Sequence, residues 1–61
     1  MDLKARFQQI YANLPLAARE EIIVVLNNEP LTWKVVKLEV DEDTEKGKEV
    51  LNILERLGIL R

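Results

Sequence analysis

Residues 44–60 read TEKGKEVLNILERLGIL, and this stretch has the clearest spacing of apolar residues in the chain. Apolar residues recur every three or four positions, as expected for a helix that buries one face. They are Val50, Leu51, Leu54 and Leu57. Gly58 follows directly, where a left-handed residue commonly ends a helix, and an apolar pair after it can pack back on the last turn. The spacing predicts a helix over 44–57.

A second stripe at helical spacing lies upstream, over residues 2–14. Its members are Leu3, Phe7, Ile10, Tyr11 and Leu14. Asp2 can cap the start of such a helix with its carboxylate. Pro15 interrupts the helix but suits the first position of a new one. Residues 15–27 are therefore predicted to form a second helix, apolar on most sides and central in the core, which ends at the Asn-Asn pair.

Residues 32–40, with the sequence TWKVVKLEV, fit two secondary structures. The segment is rich in β-branched residues and alternates towards its end, which is typical of a strand. Trp33, Val36 and Val40 also share one helical face, and Thr32 suits a helix N-cap. A strand here would need a partner, and the only other extended candidate is the short tail after the last helix. We therefore favour a short helix over 32–40 and keep the strand as the alternative.

The composition bounds the class of protein. The chain has 61 residues, enough for a single domain, and its 9 Lys and Arg against 11 Asp and Glu give a net charge of −2. Its longest apolar run, residues 22–26, is too short to span a membrane. We expect a cytoplasmic protein with no membrane partner. Many Glu and Lys and no cysteine are also typical of proteins from thermophiles.

Enzymatic activity is not expected from this composition. The chain lacks cysteine and histidine, which excludes disulfides, thiolate ligands and imidazole chemistry. It has no phosphate-cradling glycine loop, and a chain of this length hardly encloses a substrate pocket. The acidic run at 41–45 lacks the glycine and the ligand spacing of a calcium loop. The sequence therefore predicts no cofactor and no metal.

These elements predict an all-α fold, a compact four-helix arrangement. An N-terminal helix would join a tri-helical core of the helix-turn-helix type, with at most one short C-terminal strand. The segment 19–60 resembles the winged helix-turn-helix superfamily, whose recognition helices end in two leucines, a glycine and an apolar pair. The matching residues are Leu51, Leu54, Gly58, Ile59 and Leu60, with Ile22, Leu26, Leu31 and Val36 in core positions. The chain is similar to small uncharacterised winged-helix-like proteins of archaea, although it stops where the β-hairpin wing of the family would begin.

The resemblance implies a small DNA-binding module that regulates transcription, with helix 44–57 as the recognition helix in the major groove. Lys46 and Lys48 would contact phosphates or guanine, and Asn52 would pair with adenine. Other cations would contact the flanking backbone. The candidate nucleic-acid-binding residues are Lys34, Lys37, Thr44, Lys46, Lys48, Asn52 and Arg61. Double-stranded DNA is the expected partner, and the stripe of helix 2–14 would either cap the three-helix core or pair with a second copy to form a homodimer.

A protein-interaction or assembly module on the same scaffold is the alternative. Residues 39–49 contain six carboxylates and two lysines, and this local charge of −4 would face phosphate. DNA binding requires the lysines to gather on one surface away from the carboxylates. An interaction module instead predicts an exposed apolar patch, near helix 2–14 or Trp33, which would bind a protein partner or a second copy.

Several of these residues also have purely structural interpretations, which we favour. Gly47 would allow a close crossing of two helices. Asp43 or Thr44 would cap the last helix. Trp33, the single tryptophan, would lie in the core or an interface rather than stack on a base.

Overall fold

The computed structural model describes residues 2–60, which form three α-helices, one short 3₁₀ helix and one β-hairpin. In chain order the elements are α1 (Leu3–Ala12), the 3₁₀ helix (Leu16–Glu20), β1 (Ile22–Leu26), β2 (Glu29–Thr32), α2 (Trp33–Asp41) and α3 (Glu45–Arg56). The fold is therefore α+β, and the predicted all-α arrangement of four helices is wrong.

The departure lies in residues 15–27, which do not form a helix. After one 3₁₀ turn the chain enters β1, whose sequence is IIVVL. Four of these five residues are β-branched, and such side chains lose rotational freedom in a helix but pack well on a strand. The local preference of β1 for extended backbone therefore outweighs the helix-starting tendency of Pro15.

The two asparagines after β1 form the turn of the hairpin. Both have positive φ, 53° at Asn27 and 67° at Asn28, as the central residues of a type I′ turn require. Asparagine enters this left-handed region more readily than most residues. A type I′ turn matches the twist of paired strands, so the chain returns as β2, antiparallel to β1. Left-handed residues also end helices, which is why the pair is ambiguous in the sequence.

A bulge gives the two sides of β1 different roles. Val25 pairs with Pro30, but the register shifts between Ile22 and Val24, so Ile23 is an extra residue. Because of this residue, both Ile23 and its successor Val24 pack against the core. Ile22 and Val25 remain 61% and 62% exposed. One face of β1 thus belongs to the protein interior and the other faces solvent.

Helices α2 and α3 lie where the sequence predicted helices over 32–40 and 44–57. Each begins at a threonine whose side chain accepts a hydrogen bond from the first turn. Thr32 Oγ1 accepts from the Val35 N–H, and Thr44 Oγ1 accepts from the Gly47 N–H. These bonds satisfy backbone donors that a helix leaves unpaired at its N-terminus.

The end of α3 is fixed by a glycine in the left-handed region. Gly58 has a φ of 81°, as its position after the apolar stripe predicted. Its N–H donates to the Glu55 carbonyl, and the Ile59 N–H donates to the Leu54 carbonyl, both at 3.0 Å. This pair of bonds is the Schellman arrangement, which directs Leu60 into the core, where it is buried.

The crossing of α2 and α3 depends on Gly47. A Cβ atom at this position would lie 2.7 Å from the carbonyl oxygen of Glu39. No carbon atom is accommodated that close to a backbone oxygen, so only glycine allows the two helices to approach this far. The prediction that Gly47 serves a close helix crossing is confirmed.

The core has α2 at its centre, rather than residues 15–27 as the sequence suggested. Helix α2 packs against α1, α3, the 3₁₀ helix and β2. Trp33, at its start, stacks on Phe7 of α1 with the ring centroids 5.8 Å apart. The buried apolar residues are Phe7, Tyr11, Leu26, Leu31, Val36, Val40, Val50, Leu51, Leu54 and Leu60. All the described elements except the 3₁₀ helix contribute to this core.

Candidate functional site

The predicted recognition helix, α3, pairs both of its candidate lysines with carboxylates. Lys46 Nζ lies 2.6 Å from Glu29 Oε1 of the hairpin, and this hydrogen bond raises the pKa of Lys46 above its ordinary value. Lys48 Nζ lies 3.6 Å from Glu45 Oε1 on the preceding turn. Exposed ion pairs are individually weak, but each carboxylate also repels a phosphate brought to its lysine.

The two candidate lysines of α2 are engaged in the same way. Lys37 Nζ donates to Gln8 Oε1 at 2.9 Å and to Asp41 Oδ2 at 2.8 Å. The hydrogen bond from Lys37 lowers the pKa of the Asp41 carboxyl, with a further contribution from the Gln8 amide. Lys34 Nζ lies 3.7 Å from Glu20 Oε1. The four lysines thus contact four different carboxylates on separate elements.

The remaining predicted contacts do not complete a DNA-binding face. Thr44 uses its hydroxyl within the protein, since it donates to Glu39 Oε1 at 2.6 Å and accepts from the Gly47 N–H at 3.0 Å. Asn52 is exposed on α3. Arg61 lies outside the described residues. The structure therefore offers Asn52 to solvent and assigns Thr44 a capping role.

The surface that sequence reasoning missed is the hairpin. Ile22 and Val25 of β1 are 61% and 62% exposed, and Leu16, at the start of the preceding 3₁₀ helix, is 77% exposed. Val25 lies opposite Pro30 in the register, so this exposed face continues onto β2 without a charged residue. The signal in the sequence was a β-branched run followed by two turn-forming asparagines, a pattern typical of hairpins.

The two edges of the hairpin differ in what their backbones can bind. Leu26 and Glu29 flank a two-residue turn and therefore form a hydrogen-bonded pair, so the backbone groups of the next pair point outward. On the β2 edge the outward residue is Pro30, which has no N–H to donate. On the β1 edge it is Val25, which presents both an N–H and a carbonyl. The β1 edge is thus the better template for another strand.

The predicted apolar patch near helix 2–14 is not observed. Phe7 and Tyr11 are buried, and the rest of that stripe packs against the core. Trp33 is only partly exposed, because its ring stacks on Phe7. Other exposed apolar residues lie on α2 and after α3, and they are Val35, Leu38, Leu57 and Ile59. The hairpin is distinguished from them by combining apolar side chains with unpaired backbone groups.

Two further features of the described residues bear on function. Within residues 2–60, no three acidic side chains are grouped so that they could hold a metal ion. None of the helices in this range combines the length and the apolar character needed to cross a bilayer.

The comparisons with known proteins leave the family of the chain open. No protein family, curated protein or solved structure that was compared with the chain matches it. The resemblance to winged helix-turn-helix proteins therefore stays a prediction from the sequence.

Proposed function

We propose that the protein is an interaction module that binds another polypeptide along the β1 edge and the exposed face of its hairpin. The observation that carries this proposal is the open apolar edge of β1, where Ile22 and Val25 are mostly exposed. This is the assembly function that the sequence left as the alternative to DNA binding, on a different surface from the one expected.

The exposed apolar side chains of the hairpin favour binding through the hydrophobic effect. Ile22 and Val25 are large apolar residues, and fully burying such a side chain contributes about 1.5 to 3 kcal/mol. Leu16, at the start of the 3₁₀ helix that precedes β1, is a further exposed apolar side chain. When a partner covers these residues, the removal of their apolar surface from water contributes favourable free energy to binding.

The open backbone edge of β1 indicates strand addition as the mode of binding. Strand addition to an exposed sheet edge is a common way to recognise an extended segment, with main-chain hydrogen bonds for affinity and side-chain packing for specificity. The outward N–H and carbonyl of Val25 fit this mode. Of the described elements, only β2 packs extensively along β1, so the opposite edge remains accessible.

DNA binding, the first hypothesis from the sequence, stays a prediction, and the charge distribution weighs against it. Affinity for a duplex depends on phosphates neutralised by Lys and Arg. Here Lys34, Lys37, Lys46 and Lys48 are each paired with a carboxylate. A phosphate would have to displace or share these contacts, and it would approach the acidic side chains at the same time.

The proposed function is tested with a photo-crosslinking amino acid placed at Val25. A matched variant carries the same group at Asn52, which is also exposed but lies on α3. Each variant is irradiated alone and in a lysate of cells that naturally produce the protein. We expect a covalent protein adduct from the Val25 position and little or none from Asn52.

Two results would contradict this proposal. One is the absence of any adduct from the Val25 position, alone or in the lysate. The other is tight binding to labelled duplex DNA, measured by fluorescence anisotropy, that weakens steeply with salt and is reduced by Lys46→Ala or Lys48→Ala. That second result would instead support the DNA-binding function.

A further inference from the structure

We infer that the polypeptide bound at the β1 edge is a second copy of this chain, paired antiparallel to the first through β1. This inference rests on the proposed function and names its partner. The two hairpins would then form one four-stranded sheet in the order β2, β1, β1 of the second copy and β2 of the second copy.

One edge of the hairpin is suited to pairing and the other is not. Pro30 removes the outward donor from β2, and helix α2 begins directly after that strand. The β1 edge has no proline and no lysine, the residues that commonly protect an edge from pairing. A self-pairing sheet would therefore join at β1 and end at Pro30 on both sides.

Strand β1 is complementary to itself in antiparallel orientation. A two-fold axis between Ile23 and Val24 places Val25 opposite Ile22 of the second copy. Both of these residues face solvent in the single chain, whereas Ile23 and Val24 both pack towards the core. Residues that pair across strands share one face of a sheet, so this register matches exposed with exposed and buried with buried.

The charges that flank β1 favour the antiparallel orientation. Glu20 and Glu21 precede β1, and the neutral Asn27 and Asn28 follow it. Antiparallel pairing puts the acidic end of each strand beside the neutral turn of the other, so the carboxylates stay apart. Parallel pairing would place both acidic ends together and is disfavoured by like-charge repulsion. No charged side chain lies within Ile22–Leu26 to oppose the contact.

Pairing of two copies would also stabilise the sheet by adding strands to it. A two-stranded hairpin is marginal by itself, and three or more strands with an apolar face are usually needed for independent stability. Joining two hairpins through β1 provides four strands without any change in the fold of either chain. An isologous contact of this kind is closed, so it gives dimers rather than fibres.

The association is measured by sedimentation equilibrium of the whole protein, from micromolar to millimolar concentration. We expect a species of twice the 7.1 kDa chain mass. Val25→Lys places a charged side chain against the apolar Ile22 of the second copy and should weaken the dimer by about tenfold or more. Leu38→Lys changes an apolar residue of similar exposure, 57% against 62%, on α2 and should leave the dimer unchanged.

Amide hydrogen exchange of the unmodified chain gives an independent readout that does not depend on a variant. The Val25 N–H points outward in the single chain, so its exchange should slow markedly as the protein concentration rises. Amides of α3 serve as the internal reference, because their bonds are complete in one chain. Slowing at Val25 beyond that of α3 supports the joined edge.

The outcomes separate this inference from the proposed function. A chain that stays monomeric to millimolar concentration, yet gives a lysate-dependent adduct from Val25, overturns the second copy as partner and keeps the interaction module. A monomer with no adduct overturns both. A dimer that Val25→Lys leaves intact, or that Leu38→Lys weakens equally, overturns the β1 edge as the contact.

Discussion

Helix α3 and strand β1 are both rich in apolar residues, but they differ in how much of their apolar surface the chain itself buries. Helix α3 buries Val50, Leu51 and Leu54 of its stripe, leaves Leu57 at its C-cap exposed, and is capped at both ends within the same chain. Strand β1 is apolar at every position, yet only Leu26 is buried. A helix satisfies its own backbone, whereas a strand depends on neighbours at both edges, and β1 has one neighbouring strand within residues 2–60.

The largest expected difference between the two segments is the loss of stability when a side chain is truncated to alanine. Leu54→Ala removes a fully buried side chain and should lower the free energy of unfolding by roughly 2 to 5 kcal/mol. Val25→Ala, at a position 62% exposed, should change it by about 0.5 kcal/mol or less in the monomer. Urea unfolding at low protein concentration checks both. A loss at Val25 as large as that at Leu54 would show that the hairpin face is covered.

The helix crossing is the next most sensitive point. Gly47→Ala places a Cβ against the Glu39 carbonyl and should cost about 1 to 3 kcal/mol, despite the better helix propensity of alanine. Gly58→Ala is the matched variant, because that site has open space but a φ of 81°, and strain there should cost about 1 to 2 kcal/mol. Thermal unfolding measures both. A stabilised Gly47→Ala would mean that the helices separate easily.

Thr44 tests whether the start of α3 is a cap or a contact. Thr44→Ala removes the acceptor of the Gly47 N–H and should lower the free energy of unfolding by about 1 kcal/mol. Thr32→Ala, which removes the equivalent cap of α2, is the comparison. Chemical unfolding gives the values. If Thr44→Ala left stability unchanged but abolished binding to duplex DNA, the groove-reading interpretation of this residue would gain support.

The hairpin turn should respond to side chains at its left-handed positions. Asn28→Ala removes the side-chain amide that helps a residue to adopt a φ of 67°. The substitution should destabilise the hairpin by about 1 kcal/mol. Asn28→Gly suits a type I′ turn and should be neutral or slightly stabilising. Amide exchange of β1 and β2 resolves the change locally. Equal effects of the two substitutions would argue against a type I′ turn.

The smallest expected effect is electrostatic. The hydrogen bond from Lys37 holds the pKa of Asp41 below its ordinary value, so the pair stabilises the fold above the unfolded pKa and loses this contribution as pH falls through the folded pKa. Lys37→Met should raise the pKa of Asp41 towards its usual range, with a change in stability of about 0.5 kcal/mol or less. Carboxyl chemical shifts followed through acid titration report the change. A titration of Asp41 that is identical in both proteins would exclude the contact in solution.

The helical half of the fold was readable from the sequence because its signals are local. The stripe ending at Gly58, the capping threonines and the small residue at the helix crossing each predict a contact within one or two turns. Residues 32–40 were ambiguous by propensity, and their helix follows from Thr32 acting as a cap. In these segments pattern and packing favour the same structure.

The hairpin and the candidate site were not predicted, and the reason is physical. In β1, β-branched residues signal a strand, but a strand is plausible only when its partner is identified, and β2 contains a proline. The Asn-Asn pair serves equally as a helix end or a type I′ turn. The partner of Lys46 could not be read from the sequence, because Glu29 contacts Lys46 only after the chain has folded.

The amino-acid order alone therefore specifies helices α1 and α3 with their caps, and favours a helix at α2 without excluding a strand, because hydrogen bonds in a helix join residues close in the chain. Folding in three dimensions selects the face of β1 that is buried, the edge that stays open and the carboxylates that Lys34 and Lys46 contact. Those outcomes depend on residues far apart in the chain, and their relative positions are set by the packing around α2.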